Sequence, residues 1–207
     1  MMNSEFTIIE DCSPYYIRFT HSNIDEIIKL ANDAIAEYTF SEKWTVQNLD
    51  HAVVKKIKNL CPLFDAFDLS VHRLSMFVSQ PGLYYRAHKD GPNHRFSINY
   101  TVKILDNKCV TSWYSDEDLQ KYPIDYLGGR SRECVDFDKS AHTPLKSMVA
   151  VPGECILFNT DIFHDWDNRA SKNERMVLTL RLKDYSQPNS SFQDARDTLL
   201  KLADKSE

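Results

Sequence analysis

The chain has 207 residues, enough for one domain with a full core and short for two, so a single domain over 1–207 is expected. Apolar residues make up 42% and charged residues 27%, the balance of a soluble globular protein, and only 5 glycines argue against long flexible linkers. A formal net charge of -5 and a pI of about 5.8 count against a protein whose main task is to grip a polyanion, since such a surface carries an excess of Lys and Arg.

Residues 1–10 show no basic region leading into an apolar run, so no signal peptide is expected. No apolar stretch reaches membrane-spanning length. The five cysteines, Cys12, Cys61, Cys109, Cys134 and Cys155, are odd in number, widely spaced and free of any C-x-x-C pair, which reads as reduced structural thiols in a cytoplasmic protein. Ser22 followed by Asp25 suggests a capping box opening a helix whose inward face is Ile24, Ile27, Ile28, Ala31, Ile35 and Tyr38. A second helix is expected from Thr45 to Leu60, ended by Cys61-Pro62, because a residue before proline avoids helical torsions. These two form a helical support over 22–61.

Period two then takes over. Leu74, Met76 and Val78 alternate with Arg73, Ser75 and Phe77, and Pro81-Gly82 marks a turn. Phe96, Ile98, Tyr100, Val102 and Ile104 alternate with Ser97, Asn99, Thr101 and Lys103, the pattern of a half-buried strand. Shorter strands are expected near Thr111–Ser115, Ser147–Val151 and Cys155–Phe158, with a turn at Pro152-Gly153, and a last one over Arg175–Lys183. The polar segment at about 115–147 reads as an insertion or lid, and Ser191 with Asp194 caps a final helix at about 190–204. The expected fold is mainly β (α+β): a jelly-roll core over about 67–185 with flanking helices.

His88-Lys89-Asp90 follows an extended apolar segment, where residues i and i+2 point to the same side, so an imidazole and a carboxylate converge. His164, beyond the Cys155–Phe158 strand, is the candidate third ligand. Two histidines and one carboxylate on one face of a divalent cation leave positions open, unlike a closed four-ligand zinc site. Taken alone, the H-x-D pair also fits a solvated loop with a surface ion pair.

The order of these features resembles the Fe(II)/2-oxoglutarate-dependent oxygenase superfamily. Tyr85-x-x-His88-x-Asp90 is similar to the proximal half of its metal motif. Residues Pro152 to Phe158 followed by His164 resemble the turn, strand and loop that bring its distal histidine. Arg175 to Arg181 resembles its closing strand. The likeness spans roughly Leu74 to Leu182. It implies a double-stranded β-helix, the jelly-roll (cupin-like) core of that superfamily, with Fe(II) held by His88, Asp90 and His164 and with 2-oxoglutarate and O₂ as co-substrates. It implies that Arg175, eleven residues after His164, pairs with the remote carboxylate of 2-oxoglutarate, and a planar guanidinium suits that task. Arg181, of the same strand parity, resembles a second arginine of the AlkB-type branch. Tyr85, Asn99 and Thr179 are candidates for further hydrogen bonds to the co-substrate. Asn99 equally fits a solvent-facing strand position, and Tyr85 fits a strand aromatic.

Trp113, Tyr114 and Arg130, on or near the 115–147 segment, are candidates for contacting the prime substrate. Trp166 reads as packing beside the metal, His72 as a core histidine, and His94 as a neighbour of the H-x-D pair. The implied reaction is hydroxylation of a C–H bond in a small molecule or a peptide, with release of succinate and CO₂. Asp90 disfavours the halogenating branch, which has a small residue there, and the aspartyl/asparaginyl hydroxylase branch, which lacks this carboxylate. The alternatives are an AlkB-type nucleic-acid demethylase and a non-catalytic cupin-like binder of a metal or small ligand.

Overall fold

The computed structural model describes residues 6–36, 38, 44–61, 63–66, 71–90, 95–104, 106, 108–126, 133–182 and 191–204. The N-terminal part holds strands β1 (Phe6–Cys12) and β2 (Tyr16–His21), helix α1 (Ile24–Ile35), strand β3 (Trp44–Asn48) and helices α2 (His51–Leu60) and α3 (Leu63–Ala66). Strands β4 (Val71–Ser79), β5 (Tyr84–Lys89), β6 (Phe96–Lys103) and β7 (Val110–Trp113) follow. Then come α4 (Asp116–Leu119), β8 (Ile124–Tyr126), β9 (Glu133–Val135), β10 (Lys146–Val149), β11 (Cys155–Asn159), β12 (His164–Asp167), β13 (Arg175–Leu182) and α5 (Phe192–Asp204).

Among the described residues the strands form two antiparallel sheets. A seven-stranded sheet runs β1-β2-β11-β6-β13-β4-β3, and a six-stranded sheet runs β10-β7-β12-β5-β9-β8. They face each other: Trp113 of β7 stacks on Tyr16 of β2 at 5.2 Å and tilts against Phe158 of β11 at 5.0 Å. This is the expected double-stranded β-helix. No described helix is long and apolar enough to cross a membrane.

The two faces of β6 show how the period-two pattern becomes architecture. Ile98, Tyr100 and Val102 join Leu178 and Leu180 of β13 in a core closed by Ile24, Ile27, Ala31 and Ile35 of α1, Ile57 of α2 and Phe192, Ala195 and Leu199 of α5. The opposite, polar face of β6 looks between the two sheets rather than to solvent. The turns at Gly82 and Gly153 have φ of 79° and 83°, the left-handed region that explains glycine at both.

Several local expectations are corrected. Residues 44–48 are the edge strand β3 paired with β4, not helix. Helix α2 begins only after Asp50, whose carboxylate accepts from the Ala52 N–H at 2.7 Å. At α1 the N-cap is Asn23, without a side-chain cap bond; its amide instead donates to the Leu60 carbonyl at 2.8 Å and ties the two helices together. The 115–147 segment is not a featureless insertion. It supplies β8 and β9, which extend the six-stranded sheet beside β5, and it packs Leu119, Tyr122 and Phe137 over that sheet's outer side with Tyr114 and Phe163. At α5 the Ser191–Asp194 box is present in both directions, at 2.8 and 3.1 Å.

Candidate metal centre

His88 on β5 and His164 on β12 are direct cross-strand partners, and their ring centroids lie 4.3 Å apart. Asp90 continues the chain beyond β5, held by its N–H donating to the Thr160 carbonyl at 3.1 Å. Ligating atoms of His88, Asp90 and His164 all lie within 4.8 Å of one another, the one such His/Cys/Asp/Glu group found among the described residues. Each imidazole is oriented in the same way. Nδ1 of His88 bonds the Arg86 carbonyl at 3.0 Å, and Nδ1 of His164 bonds the Ile162 carbonyl at 2.9 Å. A carbonyl can only accept, so both Nδ1 atoms carry a proton, which in the neutral imidazole leaves the Nε2 lone pair to ligate a cation. Phe158 meets the His164 ring edge-on at 4.7 Å.

A cavity of about 790 Å³, its open mouth included, lies before the three residues. Its far wall is the polar face of β6, with Ser97 and Asn99, and the matching face of β13, with Arg175, Val177 and Thr179. Parity makes this wall: Met176, Leu178 and Leu180 turn the other way into the core. Arg175 is 9% exposed, and among the described residues it has no carboxylate partner and its Nε has no hydrogen-bond partner. The guanidinium lies 5.7 Å above the Trp166 ring, Trp166 stacks on Tyr85 at 5.8 Å, and Tyr85 meets His88 edge-on at 4.7 Å. A chain of ring contacts thus runs from the arginine to a candidate ligand. Asn99 lines the cavity with a buried, unbonded Oδ1.

Tyr85, Asn99, Thr179 and Arg175 are therefore brought together with His88, Asp90 and His164. Trp113 and Tyr114 are not, and their expected role as substrate contacts is corrected. Trp113 is wholly buried, its indole N–H donating to the Asn159 carbonyl at 3.3 Å, and Tyr114 is turned to the outer side of the sheet, donating to Asp165 at 2.9 Å. Arg130 and His94 lie outside the described residues, as do the side chains of Arg181 and His72. Sequence reasoning missed Ser97 and Thr111 in the cavity wall; the parity of Ser97 with Asn99 was the available signal.

Behind His164 the carboxylate of Asp165 is fully buried and pairs with Lys139 at 2.9 Å. Burial pushes its pKa up, and the Lys139 and Tyr114 contacts oppose that. Burial acts the same way on Asp167, but hydrogen bonds from Arg169 and the charge of Lys139 outweigh it and hold that carboxyl at about 2.

No family model matches the chain, and no curated protein matches it. Solved structures do. A 2OG-Fe(II) oxygenase-family oxidoreductase from Burkholderia pseudomallei is 13% identical, with 81% of this chain and 83% of that one covered and a TM-score of 0.52. EvdO2 from Micromonospora carbonacea, also solved with 2-oxoglutarate, is 12% identical over 86% and 91%, with a TM-score of 0.51. SnoK, an alpha-ketoglutarate-dependent carbocyclase of nogalamycin biosynthesis, is 10% identical over 79% and 78%, with a TM-score of 0.50. The chain thus has the fold of the Fe(II)/2-oxoglutarate-dependent oxygenase structures and, between its sheets, a cluster of two histidines and one aspartate.

Proposed function

We propose that the protein is an Fe(II)- and 2-oxoglutarate-dependent oxygenase that hydroxylates a C–H bond of a small-molecule or peptide substrate. The observation that carries this reading is the shared cavity of His88, Asp90 and His164 with the buried, unpaired Arg175. The donor set fits a divalent cation of intermediate hardness: two neutral imidazoles and one carboxylate. Charge then argues for the co-substrate. Three such ligands leave a divalent ion with one net positive charge, and Arg175 adds a second in a site screened from water. A keto acid with two carboxylates neutralises both, one end at the metal and the other in the guanidinium fork.

When bound, iron with 2-oxoglutarate and O₂ supplies the oxidant, one oxygen atom leaving in succinate and the other entering the substrate, with CO₂ released. The chain's own residues do the positioning. The main-chain carbonyls of Arg86 and Ile162 hold the two imidazoles in the ligating tautomer. Trp166, stacked on Tyr85, offers the Arg175 guanidinium a cation–π contact at 5.7 Å. Phe77, Phe96, Phe158 and Val177 line the cavity with apolar surface and exclude water.

Anaerobic titration with Fe(II) and 2-oxoglutarate tests the reading. The wild type is expected to give a visible charge-transfer absorbance band, Asp90→Ala to lose it, and Asp33→Ala, at an exposed ion pair on α1, to keep it. Absence of the band from the wild type overturns the assignment. A panel of amino acids, peptides and methylated oligonucleotides scored by succinate release then sorts the substrate class, and turnover only on an alkylated base would refute the small-molecule or peptide reading.

A further inference from the structure

Six arginines have described side chains, and four of them are bound to carboxylates. Arg18 pairs with Glu10 and Glu154, Arg86 with Asp125 and Asp136, Arg169 with Asp167, and Arg196 with Asp11 and Asp197. In a chain of net charge -5 such pairing is the default. The two exceptions are Arg175 and Arg95. Both also leave a buried Nε without a hydrogen-bond partner. A buried guanidinium N–H with no acceptor is costly and calls for an explanation, and a ligand anion is the one that Arg175 receives above.

The backbone places Arg95 beside the same centre. Its carbonyl accepts from the Thr160 N–H at 3.0 Å, and the Thr160 carbonyl accepts from the Asp90 N–H at 3.1 Å. One residue therefore separates it from the candidate ligand Asp90. The bond to Thr160 also continues the β6–β11 ladder, which pairs Asn159 with Phe96, by one more residue. Arg95 thus precedes Ser97 and Asn99 at the same parity, about 7 Å before Ser97 along the chain, at the edge of the cavity whose lining begins with Phe96 and Ser97 on this strand. This is the end at which Asp90 stands, and Asp90 is the most open of the three candidate ligands: its side chain is 19% exposed against 7% for His88. Arg175 stands across the cavity on β13, already assigned to the co-substrate.

We propose that Arg95 binds an anionic group of the prime substrate, a carboxylate or a phosphate, at the approach to the metal centre. This rests on the oxygenase reading and narrows it: the substrate is a small acid whose charged end is held by Arg95 while a C–H bond some distance from that end faces His88, Asp90 and His164. A planar fork of donors suits either anion and fixes its orientation as well as its place.

Succinate release should be measured over matched pairs, each carboxylic acid beside its primary amide and each phosphate monoester beside its alcohol, with wild type, Arg95→Gln and Arg95→Lys. The expected result is turnover on an acid at least tenfold above its neutral partner, with the two arms of the library telling carboxylate from phosphate. Arg95→Gln should raise the KM for that acid at least tenfold, leave the KM for 2-oxoglutarate within twofold, and keep the Fe(II)–2-oxoglutarate absorbance band; Arg95→Lys should recover part of the loss. Neutral members as active as their acids, a library with no active acid, or an unchanged acid KM in Arg95→Gln overturns the inference. So does a rise in the 2-oxoglutarate KM, which would make Arg95 a co-substrate group. A wild type without the absorbance band refutes the oxygenase reading itself, and this inference falls with it.

Discussion

Arg175 illustrates how far a single residue was legible and what remained hidden. Its distance from His164 and its strand parity mark it as a cavity group, but only the fold reveals that no carboxylate among the described residues satisfies it. Arg95 had no such signal, because an unpaired charge is a fact about neighbours and not about sequence. In sequence Trp166 reads as packing, whereas its ring meets the Arg175 guanidinium at 5.7 Å. Asn99 shows the opposite case: its polar face, ambiguous between solvent and site, is enclosed by the second sheet. Removing the charge from Arg175 while keeping its bulk, as in Arg175→Met, should raise the KM for 2-oxoglutarate by about 10- to 100-fold, the loss of a charge-assisted pair. Fe(II) affinity, read by titration in the absence of 2-oxoglutarate, should hardly move. Equal losses in both would show that the arginine only supports the fold.

Among the elements, β6 and β13 were legible because eight or so residues of strict alternation leave no helical reading. Strands β8 and β9, with three residues each, are too short to carry a period, so their segment read as an insertion. Strand β3 was absorbed into a helix because Leu49, Val53 and Ile57 fit a helical face whether the helix begins at 45 or at 51. What decided the matter was the open edge of β4 and the cap at Asp50. The turn at Lys139–Ala141 is docked on the back of β12 by the bond from Lys139 to the fully buried Asp165. Breaking one partner strands a buried charge, so Lys139→Met should cost about 3–5 kcal/mol in chemical denaturation. The double variant Lys139→Met/Asp165→Leu should recover most of it, since an apolar pair of similar bulk replaces the ions. A cost below about 1 kcal/mol for the single change would show the pair to be solvated in practice.

Over the whole molecule, His21 joins the sheet to its helical cover. Its Nδ1 accepts from the Asn23 N–H at 3.3 Å, which makes Nε2 the donor to the Tyr100 hydroxyl at 3.0 Å, and Tyr100 meets the Cys61 thiol at 3.0 Å. All five cysteines are free thiols, and burial raises the Cys61 pKa to about 11, so it stays protonated. Burial disfavours the imidazolium of His21 and lowers its pKa from 6.5 to about 4. Between those values the unfolded chain binds a proton that the folded one refuses. Stability is therefore complete above pH 6.5 and drains away as the pH falls toward 4, by roughly 3 kcal/mol. Urea midpoints at pH 7 and pH 5 should thus diverge more in the wild type than in His21→Gln; parallel losses would discount the histidine. None of this chain of bonds could be read from the sequence, where His21 stands in no recognisable pattern.

Each of the two cross-strand imidazoles is steered at Nδ1 by a peptide carbonyl two residues before it. Ring orientation is thereby inherited from strand geometry. Phe77, Phe96 and Val177 form apolar walls of the same chamber. Remodelling them should alter which molecules fit while leaving the ligand cage intact, which makes this scaffold a candidate for redirected oxidation chemistry by recutting the chamber alone.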